Sequence, residues 1–206
     1  MLKDPFELLN NYVSVPHGTF DKLKIYHGLL LKWQQRINLI SNDTINDIWH
    51  RHFLDSYQLI KLLENNYEKT IIDLGSGAGF PGMVLAIAGY KNIHLIESDK
   101  RKAIFLQEVA RAVHVNIKIH CDRIENVIID NKNNIIVSRA CASVDKLLHL
   151  SSNFVSYETK YFLHKGKNYK REIQDALLNW NYNYSTTKSI TDSLSVIIKI
   201  TDLKKV

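Results

Sequence analysis

Cysteine, metal-ligand patterns and long apolar runs are all scarce in this chain of 206 residues. Its two cysteines, Cys121 and Cys141, lack C-x-x-C spacing, which argues against a disulfide framework and a cysteine-based zinc site. The nine histidines are scattered without ligand spacing, so we expect no metal. No stretch approaches 18 apolar residues, and the first residues lack the apolar core of a signal peptide. We therefore expect a cytoplasmic protein without a membrane segment.

Repeats and low-complexity tracts are also missing, and the polar stretch 130–134 is predicted to be a loop. The length fits one domain with a full core, and nothing indicates an obligate dimer, so we expect a monomer. The net charge of +6 permits an acidic partner such as RNA, although many proteins share this charge.

Glycine is sparse but concentrated: four of the eight glycines fall between positions 75 and 82. They follow an apolar run, Thr70–Leu74, that predicts a buried strand, and precede an apolar run, 83–88, that predicts a helix. Glycines without Cβ atoms let the backbone approach a ligand closely, and amides at a helix start point at that ligand. Pro81 fits the first helical turn. The stretch therefore predicts a strand–loop–helix nucleotide site.

The glycine pattern allows two cofactors. Gly77–Gly82 matches G-x-G-x-x-G, and Glu97 follows about 20 residues later, as in NAD-binding folds. The spacing Asp73-x-Gly75-x-Gly77-x-Gly79 instead resembles the first motif of S-adenosylmethionine-dependent methyltransferases. A carboxylate at Asp73 suits a cofactor that carries an ammonium and a sulfonium better than a pyrophosphate.

The remaining chain alternates strands and helices after a helical extension, 1–69. In the extension, Thr19 is predicted to cap a helix reaching Leu39, and Asn42 or Asp43 a second helix reaching Leu63. The other predicted strands are 92–96, 115–120, 134–138, 160–164, 180–187 and 194–200. Three further helices are predicted: one ends near Val113, one is capped by Ser143, and one spans 169–178.

This order predicts an α/β fold with a Rossmann-like, mostly parallel sheet and a C-terminal antiparallel hairpin. It is the class I methyltransferase arrangement, and we expect a single domain, 1–206, with the cofactor-binding core over 70–206. A two-domain dehydrogenase would need more chain than remains after the second strand.

Ligands of open α/β sheets bind beyond the carboxyl ends of the strands. Glu97 closes the second strand, where a carboxylate can hold two ribose hydroxyls; the alternative is a solvated loop acid. Ile124 and Glu125 follow the third strand and could flank an adenine.

Seven segments together resemble the bacterial 16S rRNA guanine-N7 methyltransferases of the glucose-inhibited division protein B (RsmG/GidB) family. They are 33–41 (WQQRINLIS), 51–56 (RHFLDS), 73–82 (DLGSGAGFPG), 95–98 (LIES) with Lys102, 123–125 (RIE), 138–143 (SRACAS) and 164–166 (HKG). The resemblance implies methyl transfer from S-adenosylmethionine, leaving S-adenosylhomocysteine, to guanosine N7 in the decoding region of the small ribosomal subunit. The residues expected to bind the cofactor are Asp73, Gly75, Ser76, Gly77, Gly79, Phe80, Glu97, Ile124, Glu125 and Arg139.

Guanine N7 carries a free lone pair and no proton, so in-line displacement needs alignment and no general base. The chain lacks the Asn/Asp-Pro-Pro-Tyr/Phe segment that exocyclic-amine methyltransferases carry after strand 4. Cys141 leaves a minor alternative, pyrimidine-C5 methylation. Arg139 is predicted to bridge cofactor and base as the catalytic positioning residue; alternatively it pairs with Asp73 or Glu125 to hold the loop.

Several basic residues are predicted to bind RNA phosphates near the mouth of the site: Arg36, Arg51, Lys100, Arg101, Lys165 and Lys167. The alternative is solvated side chains, and for Arg51 a surface ion pair with Asp55. Two other functions stay open: an NAD-dependent oxidoreductase, and a non-catalytic RNA- or ribosome-binding module that retains the cofactor fold.

Overall fold

A seven-stranded sheet runs through the computed structural model, which describes residues 4–63, 66–129 and 134–206. Positions 130–133 of the predicted polar loop lie outside the described residues. The strands are β1 (Thr70–Leu74), β2 (Asn92–Ile96), β3 (Lys118–His120), β4 (Asn134–Arg139), β5 (Lys160–Lys165), β6 (Trp180–Lys188) and β7 (Val196–Lys205).

The strand order is β3-β2-β1-β4-β5-β7-β6. β1 to β5 are parallel, whereas β7 inserts between β5 and β6 and is antiparallel to both, which confirms the predicted hairpin. The order reverses between β1 and β4, so a crevice is expected where their carboxyl ends diverge.

Eight α-helices flank the sheet within the described ranges. They are α1 (Pro5–Asn10), α2 (His17–Gln34), α3 (Asp55–Tyr57), α4 (Leu59–Leu63), α5 (Gly82–Ile87), α6 (Lys100–Ala112), α7 (Val144–Leu150) and α8 (Tyr169–Leu177). As predicted, Ser143 caps α7 by accepting the Lys146 amide at 3.4 Å. No helix in the described part of the chain has the length and apolarity needed to cross a membrane.

Two apolar cores lie on opposite faces of the sheet. One joins the N-terminal helices to α5 and α6, with Leu23, Phe53 and Phe105 fully buried. The other packs α7 and α8 against β4, β5 and β7 around Tyr161. The N-terminal extension therefore covers one sheet face and borders the crevice.

The helix boundaries predicted for the extension are wrong. α2 begins at His17, two residues before Thr19, and ends at Gln34 rather than Leu39. The Gln34 side chain accepts the amides of Leu39 and Ile40 and donates to the Ile40 carbonyl, which turns the chain out of the helix.

The prediction of a single helix after Asn42 is also wrong. It is broken into a 3₁₀ turn (Asn42–Asp47), a π-helical turn (Trp49–Leu54) and the short α3 and α4. The π-helical turn shifts the direction of side chains by a fraction of a turn. Arg51, within this turn, and Asp55, directly after it, have different partners, which are described below.

Later boundaries also differ from the predictions. Pro81 precedes α5 as its N-cap, because the helix begins at Gly82. β3 spans only 118–120, and β7 spans Val196–Lys205 rather than 194–200. The Leu194 amide instead donates to Asp192 Oδ1 in the turn, at 3.0 Å.

Candidate active site

The glycine loop after β1 requires conformations that other residues rarely adopt. Gly75, Gly77 and Gly79 have φ angles of 66°, 57° and 96°. A Cβ on Gly75 would lie 2.4 Å from Cys141 Sγ, and one on Gly79 would lie 2.8 Å from the Tyr26 hydroxyl. The loop therefore passes close to side chains from α2 and from the segment after β4.

Asp73 closes β1 beneath this loop and is fully buried. Its Oδ2 accepts the Gly82 amide at 2.9 Å, while its Oδ1 is buried with no hydrogen-bond partner in the described structure. Burial raises the pKa of Asp73 to about 7, although the Gly82 hydrogen bond opposes the rise. The Ser76 hydroxyl donates to the Asp73 carbonyl at 3.1 Å.

Glu97 ties β2 to the glycine loop. Its Oε2 accepts the Gly77 amide and its Oε1 the Asp99 amide, both at 2.8 Å, and only 8% of the residue is exposed. The alternative of a solvated loop acid is therefore wrong. Each oxygen keeps a lone pair, which is what two ribose hydroxyls would need.

A cleft of about 220 Å³ opens at this strand edge. Four predicted residues line it, Gly75, Glu97, Ile124 and Glu125, and Cys141 lines it next to Gly75. Ile124 is buried and Glu125 exposed, so the cleft has one apolar and one polar side after β3. We call this space the cofactor cleft.

Arg139 lies outside the cofactor cleft, in the wall of a second cavity of about 400 Å³. Its Nη1 donates to the Arg51 carbonyl at 3.0 Å and to Asp55 Oδ2 at 3.5 Å, and its guanidinium lies 5.0 Å from the Phe80 ring centroid. The predicted alternative, pairing with Asp73 or Glu125, is wrong. We call this second space the base pocket.

His52 holds the other end of the guanidinium. Arg139 Nη2 donates to His52 Nδ1 at 2.7 Å, so Nδ1 must be unprotonated and Nε2 donates to the Thr44 hydroxyl, also at 2.7 Å. Burial, and then the Arg139 charge, lower the pKa of His52 to about 3, which keeps the imidazole neutral.

The alternative for Arg51, a surface ion pair with Asp55, is wrong. Arg51 instead lies 3.8 Å from the Asp192 carboxylate, while Asp55 faces Arg139 and His164. Burial raises the pKa of Asp55, but His164, Arg139 and the Thr191 hydrogen bond together outweigh it, so the net pKa lies below its usual value.

The predicted RNA-binding residues fall into two groups. Arg36, Arg51, Lys100, Arg101 and Lys167 are exposed. Lys165 is a correction: its side chain is 7% exposed, its ammonium pairs with Glu172 at 2.9 Å, and it donates to the Ala142 carbonyl. This lysine is fixed inside the structure rather than presented to a phosphate.

Sequence reasoning missed four residues of the base pocket. They are Thr44, His52, Asp55 and Thr191. The motif 51–56 drew attention to two of them, but no local pattern indicates that the turn after β6 reaches this site.

The residues of the cofactor cleft fit S-adenosylmethionine. Gly75 of the glycine loop admits close backbone approach, and Glu97 suits a ribose. Asp73 does not line the cleft; its unpartnered carboxylate oxygen is buried beneath the loop. Within the described ranges, no three His, Cys, Asp or Glu side chains are grouped to hold a metal ion.

Comparison with known proteins adds independent evidence. The GidB family model, described as rRNA small subunit methyltransferase G, matches residues 19–200. The chain belongs to this family. The family assignment confirms the resemblance seen in the motifs, supports an rRNA methyltransferase and argues against the NAD-dependent alternative.

Curated relatives match along nearly the whole chain. Ribosomal RNA small subunit methyltransferase G of Orientia tsutsugamushi (strain Ikeda) is 44% identical over 200 residues, which cover 97% of this chain and 99% of the relative. The protein of the same name from Rickettsia bellii (strain OSU 85-389) is 41% identical over 194 residues, covering 94% and 99%.

Solved structures show the same fold. Magnesium protoporphyrin IX methyltransferase from Synechocystis PCC 6803, with bound SAM, has a TM-score of 0.61 at 11% identity and covers 92% of this chain and 99% of that chain. Ribosomal protein L11 methylase from Lactobacillus delbrueckii subsp. bulgaricus has a TM-score of 0.58 at 15% identity, covering 72% and 79%. The predicted class I methyltransferase fold is confirmed.

Proposed function

We propose that this chain transfers a methyl group from S-adenosylmethionine to N7 of a guanosine in the decoding region of 16S rRNA. One observation carries the proposal: the end of β4 lines both cavities. Arg139 and Ala140 line the base pocket, and Cys141 and Ala142, the next two residues, line the cofactor cleft. A cofactor and a base bound in these spaces would meet across this segment.

The cofactor is held by residues of the glycine loop and the neighbouring strand ends. They are Asp73, Gly75, Ser76, Gly77, Gly79, Phe80, Glu97, Ile124 and Glu125, with Arg139 at the border. When bound, S-adenosylmethionine supplies an electrophilic methyl group on its sulfonium.

The chain's own part is alignment of the base. Guanine N7 attacks with its free lone pair and carries no proton, so no side chain has to remove one. Arg139 has five N–H donors, of which three are engaged by Arg51, Asp55 and His52. A remaining donor on Nη2 can hold guanine O6 while N7 stays free.

The exposed cations Arg36, Arg51, Lys100, Arg101 and Lys167 are the proposed phosphate contacts. The substrate that they would contact is a folded polyanion, either naked 16S rRNA or the small subunit. Binding through them would weaken steeply as salt concentration rises, because bound counterions are released.

Replacement of the acceptor atom tests the proposal directly. A 16S transcript made with 7-deazaguanosine keeps the O6 edge but has carbon in place of N7. We expect methyl transfer to the guanosine transcript and none to the 7-deaza transcript, which should still compete for binding. Equal transfer to both transcripts would exclude N7 as the acceptor. S-adenosylhomocysteine binding with no transfer to either would favour the non-catalytic alternative.

A further inference from the structure

The turn between β6 and β7 forms one wall of the base pocket. Ser189, Thr191, Asp192 and Ser195 line this cavity together with Arg139. These residues lie about 50 positions after Arg139 in the chain, and β7 brings them back because it pairs with β5. The C-terminal hairpin is therefore part of the site.

The turn is fixed to the helical extension by polar contacts. The Ile190 amide donates to Gln58 Oε1 at 3.1 Å, and Arg51 Nη1 lies 3.5 Å from the Thr191 carbonyl. Within the turn, the Ser189 amide donates to the Ser195 carbonyl at 3.0 Å. The turn consequently presents Thr191, which is 9% exposed, in one orientation.

Asp55 receives this threonine and divides its two oxygens between different partners. Oδ1 accepts the Thr191 hydroxyl at 2.7 Å, Gln58 Nε2 at 2.8 Å and the Ser189 hydroxyl at 3.4 Å. Oδ2 faces Arg139 Nη1 at 3.5 Å. With Oδ1 held on one side, the plane of the carboxylate is set and Oδ2 points at the guanidinium.

We propose that Thr191 is a positioning residue: through Asp55 it orients Arg139 for the target base. The inference rests on the proposed function, in which Arg139 holds the base. It gives the C-terminal hairpin a role in aligning the RNA substrate that is separate from cofactor binding, because no residue of the turn lines the cofactor cleft.

Three threonine variants test the idea. Thr191→Val keeps the side-chain shape and removes the hydroxyl, Thr191→Ser keeps the hydroxyl, and Thr187→Val is the matched control on the exposed side of β6. We expect Thr191→Val to lower kcat/KM for RNA by roughly 10-fold or more, the effect of losing a hydrogen bond to a charged group. Thr191→Ser should restore most of the activity. S-adenosylhomocysteine affinity should stay within about twofold throughout.

A double-mutant cycle separates positioning from general stability. If Thr191 acts through Arg139, Thr191→Val should change activity much less in an Arg139→Ala background than in the wild type. An equal fold-loss in both backgrounds, or a loss that Thr191→Ser does not rescue, would overturn the proposal. If the wild-type protein methylated another nucleoside, guanine N7 would be excluded as the acceptor. The double-mutant cycle would still test whether Thr191 positions Arg139.

A measurement without substrate covers the case of an inactive wild type. The ¹⁵N-labelled Arg139 Nε–H group is buried, and its resonance can be assigned by its loss in Arg139→Lys. Slow solvent exchange of this proton in the wild type and Thr191→Ser, with fast exchange in Thr191→Val, is the expected result. Equal exchange rates in all three proteins would contradict the proposal.

Discussion

Gly75 is restricted to glycine both by its backbone conformation and by a neighbouring side chain. Its φ of 66° disfavours any side chain, and a Cβ would lie 2.4 Å from Cys141 Sγ, in the wall of the cofactor cleft. We expect Gly75→Ala to weaken S-adenosylhomocysteine binding by about 10-fold or more, equivalent to about 1.4 kcal/mol, measured by calorimetric titration.

Gly89→Ala is the matched control for this prediction. Gly89 has a φ of 108°, but a Cβ there meets no atom within 4 Å. It shares the backbone strain, of order 1 kcal/mol or more, without touching the cleft. Equal losses of affinity in the two variants would show that general destabilisation, rather than the contact with Cys141, is responsible.

The residues that we propose to hold the cofactor could be chosen from the sequence because most of them are close together along the chain. Asp73, the glycines and Phe80 lie within eight positions, and Glu97 is the last residue before the next turn. Their roles follow from the strand-end rule and from glycine chemistry. Lys165 shows the limit: its charge indicates a phosphate contact, but Glu172, seven residues later, holds it inside.

At the scale of elements, α2 supports the glycine loop after β1. The buried Tyr26 hydroxyl donates to the Ala78 carbonyl, and its ring stacks on Phe80 with centroids 5.2 Å apart. Tyr26→Phe removes one donor and leaves the ring. We expect a loss of about 1–3 kcal/mol in unfolding free energy, together with severalfold weaker S-adenosylhomocysteine binding, because the loop loses its support.

Tyr161→Phe controls for the loss of a buried hydroxyl. The Tyr161 hydroxyl is 2.9 Å from Ser151 Oγ in the other core, away from the glycine loop. The Tyr161→Phe variant should have a lower free energy of unfolding in chemical denaturation but an unchanged affinity for S-adenosylhomocysteine. If Tyr26→Phe also keeps full affinity, α2 packs on the loop without supporting it.

Elements built on apolar runs were predicted well, and those that depend on distant side chains were not. β1 and β2 have their predicted bounds because three isoleucine or leucine residues lie close together in each of these five-residue strands. The end of α2 depends on the Gln34 side chain bonding to backbone five and six residues later. Helical periodicity continues past this point, so the pattern alone cannot place it.

At the scale of the whole molecule, the base pocket joins the extension, β4, β5 and the last turn. Its members Asp55, Arg139, His164 and Thr191 come from four separate segments. The sequence predicts the strands and the C-terminal hairpin but not the place of β7 between β5 and β6. That insertion is what carries the turn to Asp55.

His52, one of two buried histidines in this pocket, ties global stability to pH. The pKa of His52 is about 3 in the folded protein and 6.5 in its ordinary state, so between these values the unfolded chain binds more protons. Stability contributed by neutral His52 is therefore complete above pH 6.5 and is lost as the pH falls toward 3. The slope is about 1.4 kcal/mol per pH unit.

Urea unfolding of the wild type and His52→Asn between pH 4 and 8 measures this contribution. The difference at pH 8 gives the pH-independent cost of the substitution, and we expect that difference to shrink as the pH falls below 6.5. The opposing effect of Asp73, whose raised pKa favours folding at low pH, is common to both proteins and cancels. A difference that stays constant with pH would contradict a neutral buried His52.

The most direct test of the central claim is the identity of the methylated nucleoside. Small ribosomal subunits lacking their own guanine-N7 methyl group are incubated with this protein and methyl-labelled S-adenosylmethionine, and the rRNA is then digested to nucleosides. We expect label in 7-methylguanosine, strongly reduced in Arg139→Ala even though S-adenosylhomocysteine still binds. Label in any other nucleoside, or full labelling by Arg139→Ala, would contradict the central claim.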